Sequence, residues 1–477
     1  MLKSLYRRSR SSLCFFFMVA APIGGEQRSE PLLLDIPKAC AHAIRHNRQV
    51  QAAQEAIRRS QLNVDHEAGE FDLHFGPTGQ LGFVGGGTAG TGPTVGVGFD
   101  MSKKFRSGTK ISLSPYVYRA NEKYNTTLRG YLSQPLLRGF SYGYNNAKIE
   151  AARYALRSAC RGCYLQQLKL VQKVIGAMYE IVKQQELLRL AEESLQQIGC
   201  YLQAARLKEK VGLGDSTQLY RAEMEQSRGY EKLLTAQEKL QEALDSFSDL
   251  LALPLGQPIE IEVPLAYHEI DLEEQEAVEL ACQHRVELAQ AKEQIEEQKR
   301  IVRWSCHNMW PELNMVVNYS NWGIDQVFTR SLNCKRESSW GVGFTTSGDL
   351  YRGSERLFYD TAQINLEGAY ANLEQVESSI ALEVKKAWRN VKQTQRRTQL
   401  QAEQVVLMEK ELQLATVRAD CNVASYFELL QAQQTVRTAQ ASYTNSLLDA
   451  IQAEFALVLA VGNLGEGPFQ NKEARLR

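Results

Sequence analysis

The chain has 477 residues, with 55 basic and 55 acidic side chains, so no net field draws it as a whole to nucleic acid or to anionic lipid. Its length exceeds what one ordinary globular domain needs, unless long helices or a barrel take it up. Nine cysteines do not form a pair of C-x-x-C units, which excludes the usual layout of a structural zinc site.

At the start, Lys3, Arg7, Arg8 and Arg10 precede a short apolar run at residues 13–21 that ends in small residues. That is the layout of a secretory signal peptide, assigned here to residues 1–25, and the run is too short to span a membrane. Beyond residue 25 no stretch approaches 18 consecutive apolar residues, so no hydropathy-type transmembrane helix is expected. An exported chain of this kind is periplasmic, secreted or a β-barrel.

Residues 76–136 carry strand signals: alternation runs through Thr94, Val95, Gly96, Val97, Gly98 and Phe99, then through Lys110, Ile111, Ser112, Leu113 and Ser114. The window 136–253 is free of proline and rich in good helix formers, with Leu170, Val171, Val174, Ile175, Met178 and Ile181 at helical spacing. It breaks at Val211, Gly212, Leu213 and Gly214, where Gly212 suits a left-handed helix end and Asp215 or Ser216 can cap the next helix. A continuous arm over residues 147–210 would run roughly 95 Å, at about 1.5 Å per residue. In the second half, residues 310–348 alternate through Leu313, Met315, Val317 and Tyr319, and again around Trp340, Val342 and Phe344. A proline-free helical window follows and breaks at Cys421, Asn422, Val423 and Ala424, with Ser425 as a cap.

The halves align with each other. Residues 47–57 lie on 285–295, matching Val50 to Leu288, Ala53 to Ala291 and Ile57 to Ile295, and residues 211–222 lie on 421–432 without a gap. The expected organisation is therefore a tandem duplication. A first repeat, 33–265, holds a helix, the β segment 76–136 and a helical hairpin with its tip near 211–215. A second, 266–465, holds a helix, the β segment 310–348 and a hairpin with its tip near 421–425; a tail covers 466–477. The first β segment is longer than the second, so it should carry an extra hairpin or a long loop. The expected fold class is mainly α with β segments, whose alternation suits a membrane β-barrel and also a soluble β-sandwich.

Three motif-like strings carry no chemistry. Gly85, Gly86 and Gly87 lack the lysine and hydroxyl residue of a phosphate loop; Gly214, Asp215 and Ser216 lack a histidine partner; His42 and His46 lack a third metal ligand. Cys160 and Cys163 form one C-x-x-C unit inside a helical pattern. No catalytic constellation, cofactor or metal is expected, so the chain reads as a non-enzyme.

Leu132, Ser133, Gln134, Pro135, Leu136, Leu137, Arg138 and Gly139 match an S-Q-P-L-x-x-G junction. Residues 47–50 and 285–288 resemble an N-P-E-L helix start, and residues 251–256 an L-G-L-P closure. In this order the chain resembles the TolC-type outer-membrane efflux family over about residues 33–465, with Arg48 and Val286 replacing the usual proline. The resemblance implies a homotrimeric outer-membrane channel-tunnel of a tripartite efflux or type I secretion system. Its strands pool into one barrel in the outer-membrane lipid, and its helices cross the periplasm. A periplasmic adaptor protein and an inner-membrane pump are the implied partners, and the tips Val211, Gly212, Leu213, Gly214, Cys421, Asn422, Val423 and Ala424 their docking points. A periplasmic gate would be lined by Gln218, Glu428 and Gln431; Glu428 also completes a capping box with Ser425. Ser133, Gln134, Pro135 and Gly139 form the strand–helix junction. The competing reading is a coiled-coil envelope scaffold without a pore.

Overall fold

The computed structural model of the chain describes residues 32–84, 92–120, 123–210, 216–254, 256, 258–266, 272–333, 337–347, 352–421 and 426–462. The expected signal segment, the glycine run at 85–91 and the turn centres at 211–215 and 422–425 lie outside them.

A short strand, β1 (Leu32–Asp35), leads into α1 (Ile36–His46). Asp35 caps that helix, its carboxylate accepting from the Ile36 N–H at 2.8 Å. Asn47 separates α1 from α2 (Arg48–Gly69). Its N–H donates to the Ala43 carbonyl at 2.8 Å, its Oδ1 accepts from the Gln49 N–H at 2.9 Å, and its Nδ2 reaches the Leu250 carbonyl at 3.1 Å. Four strands follow: β2 (Leu73–Val84), β3 (Gly92–Lys104), β4 (Lys110–Ala120) and β5 (Lys123–Pro135). A single turn, α3 (Tyr142–Asn145), precedes α4 (Ala147–Lys210), which returns as α5 (Ser216–Leu251).

The second half runs through β6 (Ile259–Glu262), α6 (Glu274–His284), α7 (Val286–Asn308), β7 (Glu312–Asp325), the short α8 (Phe328–Asn333) and β8 (Glu337–Ser347). It ends in α9 (Gly353–Asp420) and α10 (Tyr426–Val461). The break at Arg285 between α6 and α7 has φ −70° and ψ 124°, against −66° and 129° at Asn47. Ala39, Ala43 and Val50 are buried, and so are their counterparts Ala277, Ala281 and Leu288. The same helix–kink–helix unit thus starts each half, although Arg285 has no side-chain capping bond of the kind Asn47 makes.

The first β segment is longer than expected at its start, since β2 begins at Leu73, and it holds the extra hairpin: four strands, β2 to β5, against β7 and β8 in the second segment. All six form one antiparallel sheet in the order β2-β3-β4-β5-β7-β8. A second pairing, β1 with β6 in parallel, ties the start of the chain to the end of the first half. No sequence signal announced it, because four-residue strands carry too little periodicity.

The helices lie side by side in the order α5, α4, α10, α9, with α1 and α2 packed on α4 and with α6 and α7 packed on α9. One core joins α1, α4, α5 and α10 through Tyr179, Met178, Ile181, Phe247, Leu251 and Ile451. Another joins α6, α9 and α10 through Ala281, Ile380, Val384 and Leu457. Burial of such side chains contributes about 1.5–3 kcal/mol each. By length and composition the stretch Glu428–Val461 of α10 could cross a membrane, although it holds no unbroken apolar run of that length. Here Leu448, Ile451, Leu457 and Val461 are buried among other helices, so the apolar composition serves a core.

Candidate functional site

The sheet has two chemically different faces. Tracing the register, Leu73, Phe75, Leu81 and Phe83 of β2 lie on the face of Val95, Val97, Phe99 and Met101 of β3. Ile111, Leu113 and Val117 of β4 and Leu128 and Leu132 of β5 continue it, and Val317 of β7 and Val342 and Phe344 of β8 complete it. Phe83, Val97, Trp340 and Phe344 on this face are 60% or more exposed. The opposite face carries Gln80, Ser102, Ser112, Tyr118, Asn125, Thr127, Arg129, Asn318 and Ser339. An apolar face this wide and this exposed has no place in water, whereas alternation of apolar and polar faces is the pattern of a membrane barrel wall. At the base of the sheet Phe105, Phe140, Tyr142 and Trp310 are exposed, with Lys103 over the Phe105 ring at 5.5 Å and Arg106 over the Tyr142 ring at 5.9 Å. Aromatic and basic side chains of this kind gather at membrane–water boundaries.

The strand–helix junction is built from residues far apart in the chain. Gln134 accepts from the Thr109 hydroxyl at 2.5 Å, Ser133 pairs with Val316 and with Lys110, and buried Pro135 pairs with Asn314. The Leu136 N–H donates to the Leu313 carbonyl at 2.7 Å. Gly139 turns at φ +91°, and its carbonyl accepts from Asn145 Nδ2 at 2.7 Å. Gly108, at φ +92°, lies so close that an added Cβ would stand 2.4 Å from the Gly139 oxygen. Arg138 pairs with Glu355 at the start of α9. The four junction residues therefore meet, and they also meet Gly108 and Thr109, which sequence reasoning did not single out.

Of the tip residues, Cys421 is described, as the exposed cap of α9; the other seven lie outside the described residues. Gln218 falls in α5, while Glu428 and Gln431 are exposed on α10. Behind them Leu430 is buried with Ile198, Leu202, Ala205 and Ala222, which holds the ends of the two hairpins at one level. Along α10 the exposed polar stripe continues through Thr435, Thr438, Ser442 and Asp449 at heptad spacing.

Among the described residues no group of three His, Cys, Asp or Glu side chains could hold a metal ion. The His42 and His46 rings lie 4.5 Å apart at a tilt of 34°, and burial holds the His42 pKa below its usual value. Burial pushes the Cys163 thiol up and the Cys40 thiol up to about 11, which disfavours the thiolate and makes both poor nucleophiles.

Residues 277–463 match the outer membrane efflux protein family. The whole architecture matches solved outer-membrane channels. VceC of Vibrio cholerae is 16% identical with a TM-score of 0.70 over 90% of this chain and 96% of that one. CmeC of Campylobacter jejuni is 13% identical with a TM-score of 0.71 over 90% and 85%. The open state of MtrE of Neisseria gonorrhoeae is 14% identical with a TM-score of 0.68 over 90% and 88%. In its second half the chain is similar in sequence to outer membrane efflux proteins, and over 90% of its length it shares the fold of these channels. No curated protein matches it in sequence. What this fold offers is a wall rather than a pocket: a two-faced sheet continued by long helices packed side by side.

Proposed function

We propose that the chain is one subunit of a homotrimeric channel-tunnel, a passive export duct for an envelope-spanning efflux or secretion machine. The observation that carries this is the two-faced sheet, in which the outer edges of β2 and β8 have no partner strand among the described residues. Lipid cannot satisfy a strand edge, so the sheet must close, and one subunit holds too few strands to close on itself around a duct. The polar face then lines the lumen and the apolar face meets lipid. The scaffold reading has no use for such a sheet.

The helices continue the duct, and energy comes from an inner-membrane pump, coupled through a periplasmic adaptor that docks at the tips around residues 211–215 and 421–425. Leu213 and Val423 supply apolar side chains that a bare turn does not need. The exposed stripe of α10 faces the lumen, and three copies of Glu428 form an acidic ring at the narrow end, with Gln218 and Gln431 beside it. No step of catalysis is required of any residue. The two repeats, 33–265 and 266–465, supply equivalent hairpins.

Single-channel recording of the detergent-extracted protein in planar bilayers tests the reading. Stable insertion with low conductance is expected, rising and becoming less cation-selective in Glu428→Ala as the ring's charge is lost. Conductance unchanged by that substitution removes the gate and leaves the duct. A protein that neither inserts nor conducts leaves the scaffold.

A further inference from the structure

We propose that the far end of the wall carries a docking site for the phosphorylated sugar headgroup of an outer-leaflet glycolipid. The site is built by α8, lying across the lipid-side face of β5 and β7, with Arg119 and Arg330 beside it. The inference rests on the proposed duct, whose apolar face meets lipid, and adds what that face holds at its rim.

The connection after β7 turns outward. Gly323 of β7 pairs with Thr126 of β5. Both lie on the apolar face, because Gly323 is six residues on from Val317 and Thr126 is two before Leu128. On that face a Cβ at Gly323 would stand 2.4 Å from the Ser331 carbonyl oxygen, so glycine is what lets α8 lie so close. The Thr126 hydroxyl donates to the same oxygen at 2.7 Å, and Ser331 is buried. The Phe328 ring meets the Tyr124 ring edge-on at 5.9 Å. A connection that closed the duct would lie on the polar face; this one is strapped to the outside.

Its height matches the outer headgroups. Leu313 of β7 lies at the strand–helix junction, where its carbonyl accepts from Leu136, and Gly323 is ten residues further along. At about 3.3 Å per residue and a barrel tilt of about 40°, that is a rise of roughly 25 Å, the thickness of the apolar band of an outer-membrane barrel. α8 therefore stands where acyl chains give way to headgroups, at the end away from the helices.

The exposed surface there is both apolar and basic. Val327, Phe328 and Leu332 are each more than a third exposed. Arg119 of β4, which pairs with Tyr124, places its guanidinium 5.4 Å from the Tyr124 ring centre. Arg330 precedes buried Ser331 and so emerges on the flank of α8, exposed. Among the described residues neither arginine forms an ion pair, and the Asp325 carboxylate beside them accepts the Val327 N–H at 2.9 Å. A guanidinium grips phosphate through two parallel hydrogen bonds, and basic clusters at a membrane surface hold anionic headgroups. Acyl chains of the same lipid would cover Val327 and Leu332. A lipid is favoured over a protein partner because lipid already surrounds the wall at this height.

Native mass spectrometry of the detergent-extracted full-length oligomer, titrated with purified lipid A and with the same lipid stripped of its phosphates, tests this. The unsubstituted protein should prefer the phosphorylated form. Arg119→Gln with Arg330→Gln should bind it roughly tenfold more weakly while the oligomer and its conductance persist. Gly323→Val, which drives α8 off the wall but keeps both arginines, should lose the preference as well; a preference retained there overturns the part given to α8. Equal affinity of the double variant and the unsubstituted protein for lipid A, or no preference for phosphate, overturns the inference and leaves the channel intact. A protein that neither inserts nor conducts overturns the duct on which the inference rests.

Discussion

Gly108 and Gly139 touch where the wall of strands hands over to the helices, and their backbones have little freedom. Both sit at positive φ, and a Cβ at Gly108 would also stand 2.7 Å from Pro135 Cγ. Gly108→Ala therefore strains the backbone and displaces the Gly139 carbonyl from Asn145, at a cost on the order of 1–3 kcal/mol. The expected outcome is a lower temperature for loss of the folded, heat-modifiable band on a gel; an unchanged midpoint would mean that the junction relaxes freely. Gly139 was legible in the sequence because it closes the Ser133–Gln134–Pro135 motif. Gly108 was not, since nothing local marks a glycine whose neighbour arrives from thirty-one residues away.

Among the elements, the long helices were legible as windows, because absence of proline and apolar spacing act over dozens of positions, and the one arm given bounds, 147–210, is α4. Strands β3, β4, β7 and β8 were equally plain. β2 was hidden by Pro77 and Gly79, which interrupt the apolar alternation of Leu73, Phe75, Leu81 and Phe83, and β5 by a polar-face set of tyrosine, arginine and asparagine that breaks the polar-apolar contrast. What no local pattern shows is how elements are tied together. Glu293 of α7 binds Arg161 of α4 at 2.7 Å and Arg157 at 3.4 Å. The bond from Arg161 holds the Glu293 pKa below its usual 4.5. A carboxylate with a depressed folded value contributes stability above about pH 4.5 that is lost as pH falls through that lower value. At this partly exposed site the pair is worth about 1 kcal/mol or less. Amide exchange in α7, corrected for intrinsic rates, should thus lose protection on acidification below pH 4.5, and Glu293→Gln should show the weaker protection already at pH 7. Equal protection in the two proteins at pH 7 would mean that the pair adds nothing to the α4–α7 contact.

At the scale of the whole molecule, the sequence carried the order of elements and the contrast of faces, while the closure proposed for the wall would depend on surfaces that belong to separate copies. That contrast can be tested without any assumption about strand number. Val97 stands mid-strand on the apolar face, 60% exposed, beside Val117, which is in turn beside Thr126. Thr127, one residue further along β5, points to the polar face at nearly the same height. An arginine on the lipid face near the bilayer midplane costs about 2–4 kcal/mol, and one on the lumen side costs little because water remains in reach. Val97→Arg should therefore fold poorly into lipid vesicles, with three copies of the penalty per trimer, whereas Thr127→Arg should fold as the unsubstituted protein does and shift the open channel towards anions. If both variants insert equally well, the face that holds Val97 does not meet lipid, and the assignment of inside and outside has to be exchanged or abandoned.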